Sequence, residues 1–264
     1  MTREPAAVTV GVLYPGFSAE DDYPRAEALL GGWARLPLVH TEMREDAHRV
    51  DALLDIGADD VLAAGVGALR ANGSAPLDAV MWACTSGSFV FGRDGAAAQV
   101  AALEAAAGVP ASSTSFAFVD ACASLGVTRV AVGATYPDDV AGRFVAFLGA
   151  AGIEVLSLSA RGIVTAAEVG TLPAAAVLEF AAAADHPDAQ AVLLPDTALH
   201  TIGLLDALDA RVGKPVLTAN QVSIWQGLRL AGADVVRAGL GSVFAHTATG
   251  PTGRAGPGGM SAWT

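Results

Sequence analysis

Val127-Thr-Arg-Val-Ala-Val-Gly-Ala-Thr-Tyr-Pro137 restates, near mid-chain, the form of Val8-Thr-Val-Gly-Val-Leu-Tyr-Pro15, down to the closing Tyr-Pro. Each is a short run rich in β-branched residues that stops at proline, the pattern of a strand buried on both faces of a parallel sheet. Two further pairs follow in the same order. Asp78-Ala-Val-Met-Trp-Ala-Cys-Thr85 is answered by Asp188-Ala-Gln-Ala-Val-Leu-Leu-Pro-Asp-Thr197, and Val109-Pro-Ala-Ser-Ser-Thr-Ser115 by Lys214-Pro-Val-Leu-Thr-Ala-Asn-Gln221. Periodicity on this scale marks an internal duplication.

Strands alternate with helical patterns in both halves, so the expected fold is α/β: two similar doubly wound parallel-sheet lobes related by a pseudo-twofold duplication. The lobes are expected over residues 1–125 and 126–245, with C-terminal segments free to exchange between them and a flexible Gly-, Ser-, Thr- and Pro-rich tail over 246–264. Helices are expected over 44–64, 96–107 (closing at Gly108), 116–125, 138–151, 165–184 and 222–230. In open parallel sheets ligands bind beyond the carboxyl ends of the strands, which places the active site in the cleft between the lobes.

The 264 residues are 53% hydrophobic, with 15 basic and 27 acidic side chains and a net charge of −12. That balance and the lack of a basic run argue against nucleic acid and anionic membrane surfaces as partners. No stretch is long and apolar enough to span a bilayer, and Met1-Thr-Arg-Glu-Pro5 lacks the features of a signal peptide, so a cytoplasmic location is expected. Two cysteines in so long a chain make no disulfide framework, and no Cys or His spacing suits zinc. Gly65-Val-Gly67 and Gly239-Leu-Gly-Ser242 lack the three-glycine spacing of a dinucleotide site.

Chemistry concentrates where the strand from Asp78 ends in Cys84-Thr-Ser-Gly-Ser88. Hydroxyls and backbone N–H groups of Thr85, Ser86, Gly87 and Ser88 beside the sulfur suit an anion or a thiolate, whereas Cys122, inside a helix, reads as packing. The duplication sets Cys84 and Thr85 against Asp196 and Thr197. Asp196 beside a thiolate and an acidic substrate would have its pKa raised and serve as a general acid, unless the substrate carries less negative charge; the plainer alternative is a cap on a helix starting near Ala198. Ser18, in the loop after the first strand, and Thr114, Ser115 and Asn220, at later strand ends, are candidate carboxylate anchors. His200 is the histidine nearest a proposed site loop.

With these residues in view, the sequence over about 8–245 resembles the aspartate/glutamate racemase superfamily, in its branch of maleate cis-trans isomerases and arylmalonate decarboxylases. Ala83-Cys-Thr-Ser-Gly-Ser88 is similar to the first cysteine motif of the isomerases. Ala134-Thr-Tyr-Pro-Asp-Asp-Val140 is similar to the segment carrying the branch's active-site tyrosine, here Tyr136, and Ala219 to Arg229 adds support. The resemblance implies a cofactor-independent enzyme acting on a small carboxylic acid, in a family whose members often associate as oligomers. The expected activity is maleate-isomerase-like, with Cys84 as covalent nucleophile and Tyr136 stabilising an enediolate. The alternatives are a decarboxylase or racemase that handles an enediolate by cysteine proton transfer, and a non-catalytic carboxylate-binding domain. Two departures stand out: Asp196 replaces the second cysteine, and Ser18 of Pro15-Gly-Phe-Ser18 replaces an asparagine.

Overall fold

The computed structural model of the chain describes residues 7–73 and 76–245. The expected tail over 246–264 lies outside the described residues.

The first half runs β1 (Val8–Pro15), α1 (Asp22–Leu29), β2 (Ala34–Arg35), β3 (Leu38–Thr41), α2 (Val50–Ile56), α3 (Asp59–Ala71), β4 (Ala79–Trp82), α4 (Ser86–Phe89), α5 (Gly92–Ala107), β5 (Ala111–Ser113) and α6 (Thr114–Ser124). The second runs β6 (Arg129–Ala134), α7 (Asp138–Gly149), β7 (Glu154–Ala160), α8 (Ala166–Gly170), α9 (Ala174–Ala184), β8 (Ala191–Leu194), α10 (Leu205–Val212), β9 (Val216–Thr218) and α11 (Ala219–Leu230), before a 3-10 turn at Ser242–Phe244.

Both halves wind their strands in one order. In the first sheet β1 pairs with β2 and β3 on one side and β4 on the other, and β5 follows β4; in the second the order is β7-β6-β8-β9, and every pairing is parallel. Val12 of β1 lies between Leu38 and Met81, and Val132 of β6 lies between Leu158 and Leu193. The duplication legible in the sequence is therefore a duplication of topology. All eight residues of β1 and all four of β4 and of β8 are buried, as runs without polar alternation require of central strands.

The last helix of each half packs across. Helix α11 lies on β4, β5 and β1 of the first sheet and against α6. Gly227 permits the approach, since a Cβ there would sit 2.6 Å from Val10 Cγ1. Helix α6 meets α7 through Phe118 on Phe144 and Phe116 on Phe147, edge-on at 5.5 and 5.4 Å.

Some expected elements differ. The helix expected over 44–64 is instead an irregular segment over 42–49 followed by α2 and α3, which are separated at Gly57. Asp46 and His48 in that segment are held by partners distant in sequence, which override local helical periodicity. The helix expected over 165–184 is broken into α8 and α9 at Pro173, whose ring and missing N–H end a helical run. Helix α11 begins at Ala219, three residues before the expected start, because Thr218 and Gln221 form a reciprocal capping box. Helix α5 ends as expected, with Gly108 at φ 64°. No helix among the described residues is long and apolar enough to cross a membrane.

Candidate active site

The carboxyl ends of four strands converge. Strand β1 delivers Pro15 and then Ser18; β4 delivers Cys84 through Ser88; β6 delivers Thr135 and Tyr136; β8 delivers Pro195 through Ala198. A pocket between the lobes is lined by Pro15, Ser18, Cys84, Ser86, Asp196, Thr197 and Ala198 from these ends. Its remaining wall comes from Met43 and residues 45–48, from Leu53 and Ile56 of α2, and from Ala166 of α8. Cys84 and Asp196 thus line one pocket, while no lysine or arginine among the described residues does.

Cys84 is buried at the start of a tight turn. Residues 86–89 form the single turn of α4 and not an open loop. The Gly87 N–H donates to Cys84 Sγ at 3.3 Å, and the Ser86 hydroxyl lies 3.8 Å from the sulfur. The turn is fixed from behind: the Gly87 carbonyl accepts from Gln99 Nε2 at 2.9 Å and Trp82 Nε1 at 3.4 Å, and Gln99 Nε2 also donates to the Gly57 carbonyl at 2.6 Å. Gly57 has no room for a side chain, because a Cβ would strike the Gly87 carbonyl oxygen.

The expectation that neighbouring N–H groups lower the thiol pKa holds for their direction only. Burial pushes Cys84 up from 9.0 to about 11; the Gly87 N–H and Ser86 hydroxyl oppose it, and the Asp196 carboxylate adds to the rise. Desolvation of the charged form is the larger effect, so the thiol is neutral near pH 7.

Asp196 is buried; its Oδ2 accepts a short hydrogen bond from the Thr135 hydroxyl, and its Oδ1 accepts from the Ala198 N–H at 2.9 Å. The alternative of a helix cap fails, since Thr197 and Ala198 form a turn, Leu199 a bend, and no helix starts at Ala198. Tyr136 is buried beneath the pocket, donating to the Pro195 carbonyl at 2.5 Å, with its ring edge-on to His48 and Phe89 at centroid distances of 4.9 and 5.9 Å. Burial, with Asp196 and Cys84 adding to it, raises its pKa well above 10.0. The Thr85 hydroxyl, near the Tyr136 oxygen, is buried and completes no hydrogen bond.

The remaining expected anchors separate into two groups. Ser18 and Thr197 line the pocket and are coupled: Tyr14 donates to the Thr197 carbonyl at 2.9 Å, so the Ser18 hydroxyl 2.8 Å away is the donor to Tyr14. Thr114, Ser115 and Asn220 face inward instead. Thr114 bonds the Trp82 carbonyl and Ser223, Ser115 donates to the Thr85 carbonyl, and Asn220 donates to Asp22 and the Thr197 and Leu199 carbonyls while accepting from Tyr23. They are corrected from carboxylate anchors to supports of the strand ends. Ser88 likewise bonds Ser113 at 2.8 Å. His200 pairs with Asp21 at 2.8 Å outside the pocket. Asp21, Asp22 and His200 bring ligand-type atoms within 4.8 Å of one another, but Asp22 is committed to Thr201, Ile202 and Asn220.

Sequence reasoning missed Thr135, Asp22, Asp46 and His48. Asp22 sits in the acidic run after β1, and Thr135 is next to Tyr136; Asp46 and His48 gave no local signal. Asp46 accepts from the Ala166 and Ala167 N–H groups at 2.7 and 3.0 Å, and the His48 backbone N–H donates to the Val164 carbonyl at 2.7 Å. These bonds clasp the first half to the second over the pocket.

The arylmalonate decarboxylase family profile matches residues 46–244. Over 166 residues the chain is 32% identical to an arylmalonate decarboxylase of Bordetella bronchiseptica, a match covering 61% of this chain and 68% of that one. A liganded arylmalonate decarboxylase bearing a glycine-to-cysteine and a cysteine-to-serine replacement superposes with a TM-score of 0.75 at 26% identity, covering 90% of this chain and 99% of that one. A variant of the maleate isomerase Iso of Pseudomonas putida S16, solved with maleate, shares the fold with a TM-score of 0.80 at 19% identity, covering 90% and 97%.

Proposed function

The chain belongs to the arylmalonate decarboxylase family, and from that premise we propose that it is an enzyme acting on a small carboxylic acid through an enediolate, with Cys84 as the proton donor. In the reaction proposed, a malonate-type acid loses one carboxylate as carbon dioxide. The bond to the α-carbon breaks, and its electron pair delocalises into the remaining carboxylate. The S–H bond of Cys84 then breaks and the proton goes to the α-carbon. Solvent restores the proton to sulfur.

The observation that carries this reading is the neutral thiol in a pocket shared with Asp196. A nucleophile must be a thiolate, whereas an acid must hold its proton until the carbanion forms. Burial and Asp196 keep the proton on sulfur, and the Gly87 N–H and Ser86 hydroxyl are placed to receive the thiolate after transfer. With no lysine or arginine among the described residues lining the pocket, a leaving carboxylate gains by departing as neutral carbon dioxide.

The Ala83-Cys-Thr-Ser-Gly-Ser88 motif supports a second reading, covalent cis-trans isomerisation. Proton NMR in deuterated water with phenylmalonate, maleate and a panel of amino acids separates the two. The proposal requires phenylmalonate to yield phenylacetate carrying solvent deuterium at the α-carbon, with the activity lost in Cys84→Ala. Conversion of maleate to fumarate with phenylmalonate untouched would replace it by the isomerase, and inertness toward all of them would leave a binding domain.

A further inference from the structure

The wall of the pocket formed by residues 45–48 includes His48, whose side chain has a defined orientation. Its Nδ1 lies 2.9 Å from the Ile163 carbonyl oxygen. A carbonyl only accepts, so Nδ1 carries hydrogen, and in the neutral ring the lone pair is on Nε2. The ring stands edge-on to Tyr136, which fixes its plane. Among the described residues Nε2 has no hydrogen-bond partner, yet it is not one of the polar atoms sealed from solvent.

The other polar groups of this wall are engaged. Asp46 is bound to the Ala166 and Ala167 N–H groups, and Glu45 pairs with Arg49. Apolar Leu53 and Ile56 continue the wall. Of the polar side chains on this wall, His48 is the one with a nitrogen, Nε2, that no described residue engages.

We propose that His48 is a specificity-determining residue, whose Nε2 receives a hydrogen-bonding substituent on the α-carbon of the substrate. The preferred substrates are then malonate-type acids bearing a hydroxyl or amino group and not an equally large alkyl group. The inference rests on the reading of this pocket as the substrate site, but its test reads binding and not turnover.

Calorimetric titration with hydroxymalonate and methylmalonate compares a hydroxyl with a methyl of similar volume. The wild type is expected to bind hydroxymalonate about tenfold more tightly, the worth of one hydrogen bond. Asparagine can reproduce the Nδ1 contact with Ile163 but has no counterpart of Nε2, whereas glutamine supplies a polar group at the Nε2 position. His48→Asn is therefore expected to lose the preference with methylmalonate affinity unchanged, and His48→Gln to retain part of it. Equal wild-type affinities, or a preference that survives in His48→Asn, would overturn the assignment. Cys84→Ala, which abolishes turnover under the proposed function, keeps the binding preference; that separates failure of the chemistry from failure of the specificity claim. Absence of binding by either acid would count against both.

Discussion

A thiol whose pKa is raised from 9.0 to about 11 predicts a particular alkylation profile. The rise corresponds to about 3 kcal/mol favouring the neutral form, and at pH 8 leaves roughly one thiol in a thousand ionised, against about one in ten for an unperturbed group. Burial also slows access, so the informative quantity is the pH at which the rate levels off and not its absolute size. The assay is iodoacetamide labelling of Cys84 across about pH 7–11, followed by mass spectrometry, with Cys122 resolved separately. Cys122 is raised to about 12 by burial alone. The Cys84 rate should climb about tenfold per pH unit through about pH 10. Asp196→Asn should move its midpoint down by a minor part of the shift, since burial is the largest cause and the carboxylate a smaller one. Levelling near about pH 9 or below would refute the neutral-thiol reading.

Thr85→Val removes a buried hydroxyl that completes no hydrogen bond and lies outside the pocket lining, so thermal stability should be unchanged or slightly raised and kcat nearly unchanged; a loss of about 1 kcal/mol or more in thermal denaturation would show that the hydroxyl is bonded in the native state. Gly57→Ala drives a methyl against the Gly87 carbonyl and Gln99 and should destabilise by about 1–3 kcal/mol in urea denaturation, with activity reduced through displacement of the Cys84 turn. Asp22→Ala should cost about 3 kcal/mol or more, because the Thr201 and Ile202 N–H groups and Asn220 lose a buried acceptor. Burial raises the Asp22 pKa above its ordinary value of 3.8, so the native state holds this proton more tightly than the unfolded chain. Its favourable contribution is complete below the ordinary carboxylate range and is lost as pH rises through the native value; urea midpoints of Asp22→Asn should show that part of the pH dependence removed.

Much of this architecture is legible in local sequence because buried parallel strands are short apolar runs and the chain states the series twice. The strand ends then point to Cys84, Asp196, Ser18 and Thr197, all of which line the pocket. Residue type alone does not distinguish a ligand from a support. Thr114 and Ser115 begin a helix and bond inward, and Asn220 ties the Thr197 loop to Asp22. The 44–49 segment was illegible for another reason: Asp46 and His48 take their partners from residues 163–167, whose sequence separations of 115 to 121 positions leave no local trace. The thiol likewise depends on burial, which outweighs the neighbouring donors that the sequence displays.

That Cys84 protonates the enediolate from one face is tested most directly by the 2-phenylpropionate formed from prochiral 2-methyl-2-phenylmalonate in deuterated water, read by chiral chromatography and proton NMR. The wild type should give one enantiomer, fully deuterated at the α-carbon, and Cys84→Ala should lose that selective turnover. The same rate and enantiomeric excess in the variant would contradict a proton delivered by this thiol.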